Sequence, residues 1–458
     1  MFKYIFQKVK NNKTIRDILR MSWPIMSINI FQSAYQLIDT FWVGRIGADA
    51  ISSVSITFPI IFFFTSIASG VTIATSIIIS QYKGKQDEEK IKFVSSQVLM
   101  IVFFSSVLLA VIGYLLSQPL LELEGVRGDV LKNAMYYVKI CIIGLPAVYL
   151  FYAFQSIEKG LGNMRRSMRI MIATCLLNVI LDPIFIFNLN GGVAGAAIAT
   201  IICQFISAIL SLYYLYGDDK RIIINLKYLS INKLLLKKIK DLGIPSFLIQ
   251  ASSAIGLYII TVITVFITKL DTNLIASISI GLRIFLFILI PANAISAATS
   301  VSVGQNLGAD NIKGAKRATK LGCLISFVLL SFLGIICFIF AYKIAGFFVN
   351  NKNAIVIQET GRFLRAVSLI FGFLGAQLSM LGAFTGSGDT KRSTLLTVLT
   401  GGLMLLFGFI LSNTKMGYFG LYIAFPLAGF ISLIITYIIY RKENWTHRRI
   451  TQELENKE

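Results

Sequence analysis

The chain has 458 residues, 56% of them hydrophobic and only 14% charged, with a mean hydropathy of +0.75. Soluble globular proteins carry about 25% charged residues and disordered chains are poor in hydrophobic ones, so both classes are excluded. The 43 Lys and Arg against 22 Asp and Glu leave a net charge of +21, an excess that in a soluble protein would suggest a nucleic-acid surface.

A helix needs about 20 apolar residues to cross a bilayer. In chain order such runs are predicted over 19–43, 50–80, 93–116, 132–156, 169–188, 192–216, 241–268, 274–304, 321–346, 357–382, 394–412 and 417–440, twelve in all. Several exceed the minimum and are expected to tilt or protrude. A β-barrel is excluded, since its strands are about ten residues of alternating polarity. The expected fold class is an all-α polytopic membrane protein.

The basic residues fall unevenly between these runs. Segments 1–20, 83–92, 159–169, 217–241, 306–320, 391–392 and 441–458 hold 32 Lys and Arg, against seven on the opposite side at Arg45, Arg127, Lys132, Lys269, Lys343, Lys352 and Lys415. Positive loops stay cytoplasmic, which places both termini inside the cell membrane and requires an even number of spans. The charge then fixes orientation and meets anionic headgroups, with no nucleic-acid partner. The first span is too long, too polar and too poor in small residues for a cleaved signal peptide. Five cysteines (Cys141, Cys175, Cys203, Cys323, Cys337) lie scattered in or beside spans without metal or redox spacing and read as buried free thiols. His447 sits in a basic tail with no role assigned. There is no GxxxxGK[ST] loop and no soluble domain for ATP, so any pumping would have to draw on an ion gradient, with no cofactor expected beyond a coupling ion.

The sequence repeats itself. Gln81…Gly84 matches Gln305…Gly308, and Ile51-Ser-Ser53 matches Ile275-Ala-Ser277, both at an offset of 224. Gly160-Leu-Gly162-Asn163 matches Gly386-Ser-Gly388-Asp389 at 226, and Gly192…Gly195 matches Gly417…Gly420 at 225. Six spans separate the copies, so the halves are parallel repeats, an arrangement found in transporters. The expected organisation is an N-terminal six-helix lobe at 1–216, a cytoplasmic linker at 217–240, a C-terminal six-helix lobe at 241–440 and a cytoplasmic tail at 441–458.

Two acids, Asp39 and Asp182, fall well inside spans. An ionised carboxylate in hydrocarbon is costly and must face a protein interior with partners. Asn178 lies one turn before Asp182, Gln32 and Tyr35 share a helix face with Asp39, and Thr200 lies at comparable depth. Together they outline a carboxylate-rich cavity that could take up a proton or a hard monovalent cation liganded by Asp39, Asn178, Asp182 and Thr200. Pro24 and Pro183 interrupt helical hydrogen bonding, the first as a kink or hinge and the second directly after Asp182. At the repeat positions of Asp39, Asp182 and Thr200 the second half has Ile263, Gly408 and Phe425, so ion chemistry is expected only in the first half. The second half offers Gln250, Ser252, Ser253, Arg283, Asn293 and Gln377, and Arg283 is expected to be structural.

Asp39-Thr-Phe-Trp-Val-Gly44-Arg-Ile-Gly47-Ala, Gln305-Asn-Leu-Gly308-Ala309, the paired Gly160…Asn163 and Gly386…Thr390 turns, Asn178-Val-Ile-Leu-Asp182-Pro183 and Gly192…Thr200 together resemble the multidrug and toxic compound extrusion (MATE) family over nearly the whole chain. The resemblance implies a two-lobed antiporter, monomeric in the bilayer, exporting amphiphilic cationic drugs or dyes in exchange for H+ or Na+. It puts the ion site on Asp39, Asn178, Asp182 and Thr200 (metal ligands if the ion is Na+) and the hinge on Pro24. Substrate contacts are expected from Gln32, Tyr35, Tyr137, Gln155 and Met171. Stretches 245–260 and 366–382, where some family members carry acids, have none, which favours proton coupling in the first lobe. The rival readings are a flippase for lipid-linked oligosaccharides, which would need deep cations such as Arg283, and a non-transporting scaffold. An enzyme has no nucleophile–base pair to stand on.

Overall fold

The computed structural model describes residues 13–123, 127–218, 232–267, 271–349 and 353–455, and all regular elements among these residues are helical. The first half comprises α1 (Lys13–Gly44), α2 (Ala48–Lys85), α3 (Glu88–Leu123), α4 (Gly128–Ile143), α5 (Leu145–Leu161), α6 (Arg165–Pro183) and α7 (Gly192–Tyr213). The second comprises α8 (Lys233–Ile267), α9 (Thr272–Ile288), α10 (Ile290–Gly308), α11 (Ile312–Phe348), α12 (Ala354–Ser368), α13 (Phe371–Ser387), α14 (Thr390–Ser412) and α15 (Tyr418–Arg441). A turn at Asn444–His447 and the short α16 (Ile450–Glu455) close the chain.

By length and apolarity eight helical runs can cross a bilayer, or ten when α4–α5, bent by 46°, and α12–α13, bent by 54°, each count as one. Helices α1 and α8, of 32 and 35 residues, are also long enough. The apolar character of α1 is diluted by the polar face that carries Gln32, Tyr35 and Asp39. Counting α9–α10 as one run, the helices form the twelve expected spans in two six-helix halves, and the chain is a multi-pass membrane protein.

The repeat is visible in the backbone. Helices α5 and α13 both end on a left-handed glycine, Gly162 at φ 79° and Gly388 at φ 84°, a conformation that strains any residue with a Cβ. In each case the next amide hydrogen-bonds back into the last turn, Asn163 to the Glu158 carbonyl and Asp389 to that of Phe384. The breaks between α4 and α5 and between α12 and α13 also fall at matching places. Packing follows the same plan: α5 lies against α2, α3 and α7, as α13 lies against α10, α11 and α15.

Two compact units emerge. One, here the N unit, contains Ser27–Phe247 and Thr451–Glu458; the other, the C unit, contains Met1–Met26 and Leu248–Ile450. The division falls inside α1, two residues after Pro24, and inside α8, two residues after Pro245. The start of α1 packs in the C unit, where Ile18 and Met21 join Ile295, Ala298 and Val301. Conversely, the start of α8 packs in the N unit: a Cβ on Gly70 of α2 would come within 2.6 Å of the Gly243 carbonyl oxygen. Part of the expected linker, 219–231, lies outside the described residues, and its last residues are the first turns of α8.

Candidate functional site

The site is built within the N unit by α1, α4, α6 and α7. Helix α6 stops at Pro183, which has no N–H to donate back to the preceding turn, and the chain passes into a wider five-residue turn, Ile184–Asn188. Asp182 therefore occupies the last turn of α6, where the helix dipole disfavours an anion. Its compensation is local: Asn178, one turn earlier, donates from Nδ2 to Asp182 Oδ1 at 2.8 Å, and both residues are fully buried. Helix α7 starts tight against that turn, since a Cβ on Gly191 would meet the Phe185 carbonyl oxygen at 2.6 Å. Ala196, Ala197 and Ala199, all buried, keep this end of α7 slim beside α4 and α6.

Into this corner α1 brings Asp39. Its carboxylate interacts with Asp182, Asn178 and Thr200, and the Thr200 hydroxyl donates to Asp39 Oδ2 at 3.4 Å. Tyr35, one turn before Asp39, donates to the Thr200 carbonyl at 3.4 Å. Tyr137 of α4, 8% exposed, packs with Val43, Ala196 and Ala197 beside the two acids. Three oxygens in the group, Asp39 Oδ1, Asp182 Oδ2 and Asn178 Oδ1, are buried and accept no hydrogen bond. Two buried carboxylates in contact repel each other unless a proton or a monovalent cation lies between them. The arrangement can therefore hold one positive charge on oxygen. It does not resemble a divalent-metal or thiol-metal centre, because no cluster of three or more His, Cys, Asp or Glu side chains with metal-binding geometry occurs among the described residues.

The remaining expected residues divide. Gln32 donates to the Tyr152 hydroxyl of α5 at 3.3 Å, about two turns along α1 from Asp39. Gln155 is half-buried on α5. Met171 is half-buried on α6, seven residues before Asn178 and on the same side of the helix. Pro24 lies far along α1 from the acids, inside an unbroken helix.

Several features escaped the sequence reading. Three of the scattered cysteines converge on the site: Cys203 interacts with Tyr35, Cys141 with Tyr137, and Cys175 donates weakly to the Phe31 carbonyl at 3.7 Å. Tyr152, the partner of Gln32, was not singled out either. Glu158 of α5 and Asp389 are buried as well, and in the C unit Glu359 is a further buried acid, 5% exposed. It accepts from Arg362 Nη1 at 2.6 Å and from the Tyr422 hydroxyl at 3.3 Å. Lying near the start of the run 357–382, it was not singled out from the sequence, although the Glu359–Arg362 spacing was the available signal. Arg283 is exposed on α9.

Comparison with known proteins adds the wider setting. The MatE family model matches residues 24–184 and again 250–410. The chain is 26% identical to the probable multidrug resistance protein YoeA of Bacillus subtilis, covering 98% of each. It is 25% identical to the multidrug export protein MepA of Staphylococcus aureus, covering 95% of this chain and 96% of that one. Among solved structures, the outward-facing conformation of a multidrug resistance MATE family transporter superposes with a TM-score of 0.89 at 24% identity, covering 95% of this chain and 97% of that one. A transporter from Pyrococcus furiosus gives 0.88 at 24% identity, covering 94% and 96%. At that identity the structural likeness establishes the fold.

Proposed function

The chain belongs to the MatE family, and from that premise we propose that it is a secondary antiporter exporting amphiphilic, cationic small molecules in exchange for H+. Na+ is the alternative coupling ion. The observation that carries the reading is the Asp39–Asp182 pair, buried on two helices of the N unit with an unpaired oxygen on each. Proton uptake that leaves both carboxyls neutral removes the negative charge that holds a cationic substrate. Two positive ligands drawn to one shared charge compete, and that competition couples import of one to export of the other. Asn178 holds Asp182 in place, Thr200 holds Asp39, and Tyr35 ties α1 to α7. Gln32, Tyr35, Tyr137, Gln155 and Met171 are the proposed substrate contacts and Pro24 the hinge of α1. Alternating access would expose the site to each side in turn, with both termini in the cytoplasm of the cell membrane. The names of the bacterial relatives, multidrug resistance and multidrug export proteins, support this substrate class.

The test is dye transport in proteoliposomes under an imposed pH or Na+ gradient. Ethidium movement driven by the pH gradient alone is expected. Movement driven only by Na+ replaces the ion, and movement insensitive to both removes the antiport reading. The flippase alternative would instead require translocation of a lipid-linked oligosaccharide with no dye transport.

A further inference from the structure

The start of α6 and the end of α7 lie at one edge of the N unit, on the side that the basic loops make cytoplasmic. Residues 159–181 contain Lys159, Arg165, Arg166 and Arg169 and no acid. Arg166 and Arg169 both place a guanidinium over the ring of Tyr214, at 5.4 and 5.8 Å from its centre. Tyr214 opens the wide turn Tyr214–Asp218 that follows α7, and it stacks on the buried Phe154 ring of α5 at 6.4 Å. One fixed ring thus gathers two cations. The turn runs into Asp218 and Asp219, but Lys220 and Arg221 follow at once, so that stretch adds no net negative charge. Beyond the cations both helices turn apolar residues outward. The exposed stripe of α6 is Arg165, Arg169, Ala173, Leu176 and Ile180, and that of the adjoining α7 is Ile198, Phe205, Ile209 and Tyr213. From Arg169 to Ile180 is roughly 16 Å of helix, about the depth of hydrocarbon in one leaflet. This apolar face is headed by arginines on one helix and, on the other, by Tyr213 and Tyr216, 65% and 44% exposed. Acyl chains beneath a phosphate match that order of groups.

The second copy of the repeat carries its own anion at this place. At an offset of 226, Asn163 is replaced by Asp389, Arg166 is kept as Arg392, and Arg169 is replaced by the exposed Leu395. The Asp389 carboxylate pairs with Arg392 and with Arg448, each at 3.1 Å. The N unit therefore has a neutral amide where the C unit has a carboxylate, and one more arginine on its outward stripe.

We propose that this corner of the N unit binds the phosphate of an anionic phospholipid. Arg165 and Arg169 are its ligands, Arg166 and Tyr214 fix their arrangement, and the outward face of α6 and α7 receives the acyl chains. A guanidinium fork matches the oxygens of a phosphate, and the apolar stripe beneath it selects a lipid over a soluble phosphate. The site lies at the opposite end of α6 from Asp182 and does not rest on the efflux reading.

The experiment is native mass spectrometry of the full chain in detergent, titrated with phosphatidylglycerol or with phosphatidylcholine. A phosphatidylglycerol adduct should survive activation that strips phosphatidylcholine. The double variant Arg165→Gln/Arg169→Gln should weaken that adduct by about tenfold, the worth of one charge-assisted hydrogen bond. A control, Lys320→Gln/Lys391→Gln, removes the same charge from exposed positions of the C unit and should stay within about twofold. Equal losses in the two double variants mean diffuse attraction and overturn the proposal, as do no loss in either and equal retention of the two lipids. Tyr214→Leu keeps every charge and removes the ring, so a severalfold loss of affinity is expected and an unchanged affinity overturns the proposal. Inorganic phosphate and glycerol 3-phosphate at millimolar concentration should leave the lipid adduct in place. Their displacing it completely would make the site one for a soluble phosphate and overturn the lipid assignment.

Discussion

At equivalent places on α7 and α15, the N unit has Ala197 and Thr200 where the C unit has Tyr422 and Phe425. The consequences run through both units. In the C unit Phe425 packs edge-on against Phe285 and Phe363 at 5.7 and 5.5 Å, and Tyr422 meets Phe363 at 5.5 Å, all of them buried. The same space in the N unit is bordered by small side chains and holds the Asp39–Asp182–Asn178–Thr200 group. Glu359, a buried acid of the C unit, is already satisfied by Arg362 and Tyr422, whereas Asp39 and Asp182 of the N unit each keep an unpaired oxygen. One scaffold, duplicated, can thus keep a polar site in one copy while filling the same place with packed aromatic rings in the other. Buried polar groups with open valences lower stability, and the aromatic core of the other copy raises it.

The largest effects should come from erasing what is peculiar to the N unit. Asp39→Asn and Asp182→Asn are each expected to reduce gradient-driven ethidium efflux to background, because a neutral amide can neither take up the coupling proton nor hold a cation by charge. Normal expression of the variants with wild-type efflux would remove the functional half of the comparison. Next, Thr200→Phe introduces the C unit's side chain into the N unit. A ring beside Asp39 should exclude the substrate and the ion, with efflux falling by about tenfold or more, since overpacking such a site costs about 1–3 kcal/mol. The converse change, Phe425→Thr, should leave ion coupling intact and lower thermal stability in detergent by about 3 kcal/mol, the typical cost of emptying a buried aromatic site.

The fold was legible because its signals are long and redundant. Apolar runs, loop charge and the glycine pairs Gly162/Gly388 and Gly192/Gly417 point to one parallel duplication, and the left-handed backbone at all four positions explains why those glycines match. The acidic pair was legible because carboxylates are rare in apolar helices and each had polar neighbours at helical spacing. What escaped depended on packing between helices. Nothing in the spacing of Cys141, Cys175 and Cys203 shows that three helices bring them around one pair of acids. Gln32 finds Tyr152 across 120 residues, and Glu359 finds Tyr422 across 63. The bends within the α4–α5 and α12–α13 pairs were also hidden, because the runs stay apolar across Gly144 and Leu369.

Glu359 offers a sharper division between the units. If its ion pair only stabilises the C unit, Glu359→Gln should leave the proton dependence of efflux unchanged and lower stability by about 1–3 kcal/mol through the loss of a charge-assisted contact to the half-exposed Arg362. Thermal unfolding and pH-jump transport on the same preparation separate the two. Loss of coupling with retained stability would mean that the C unit shares the ion chemistry, and the contrast between the halves would then be one of substrate fit rather than of charge.

The smallest expected effect concerns the edge of the N-unit site. Gln32 donates to the Tyr152 hydroxyl at 3.3 Å, which ties α1 to α5 about 10 Å along α1 from Asp39. Tyr152→Phe removes that acceptor and keeps the ring. A neutral, partly buried hydrogen bond contributes about 0.5–1.5 kcal/mol, so substrate affinity should change by no more than about tenfold. If Gln32 helps to line the substrate path, freeing its amide should alter the apparent affinity for ethidium while the rate at saturating dye and its pH dependence stay fixed. If the bond serves to hold α1 in place near Asp39, the pH dependence should shift together with the rate. The substitution therefore distinguishes a substrate-contacting face of α1 from an ion-positioning one, a division that exists only in the N unit, because no acid in the C unit lies at the position of Asp39.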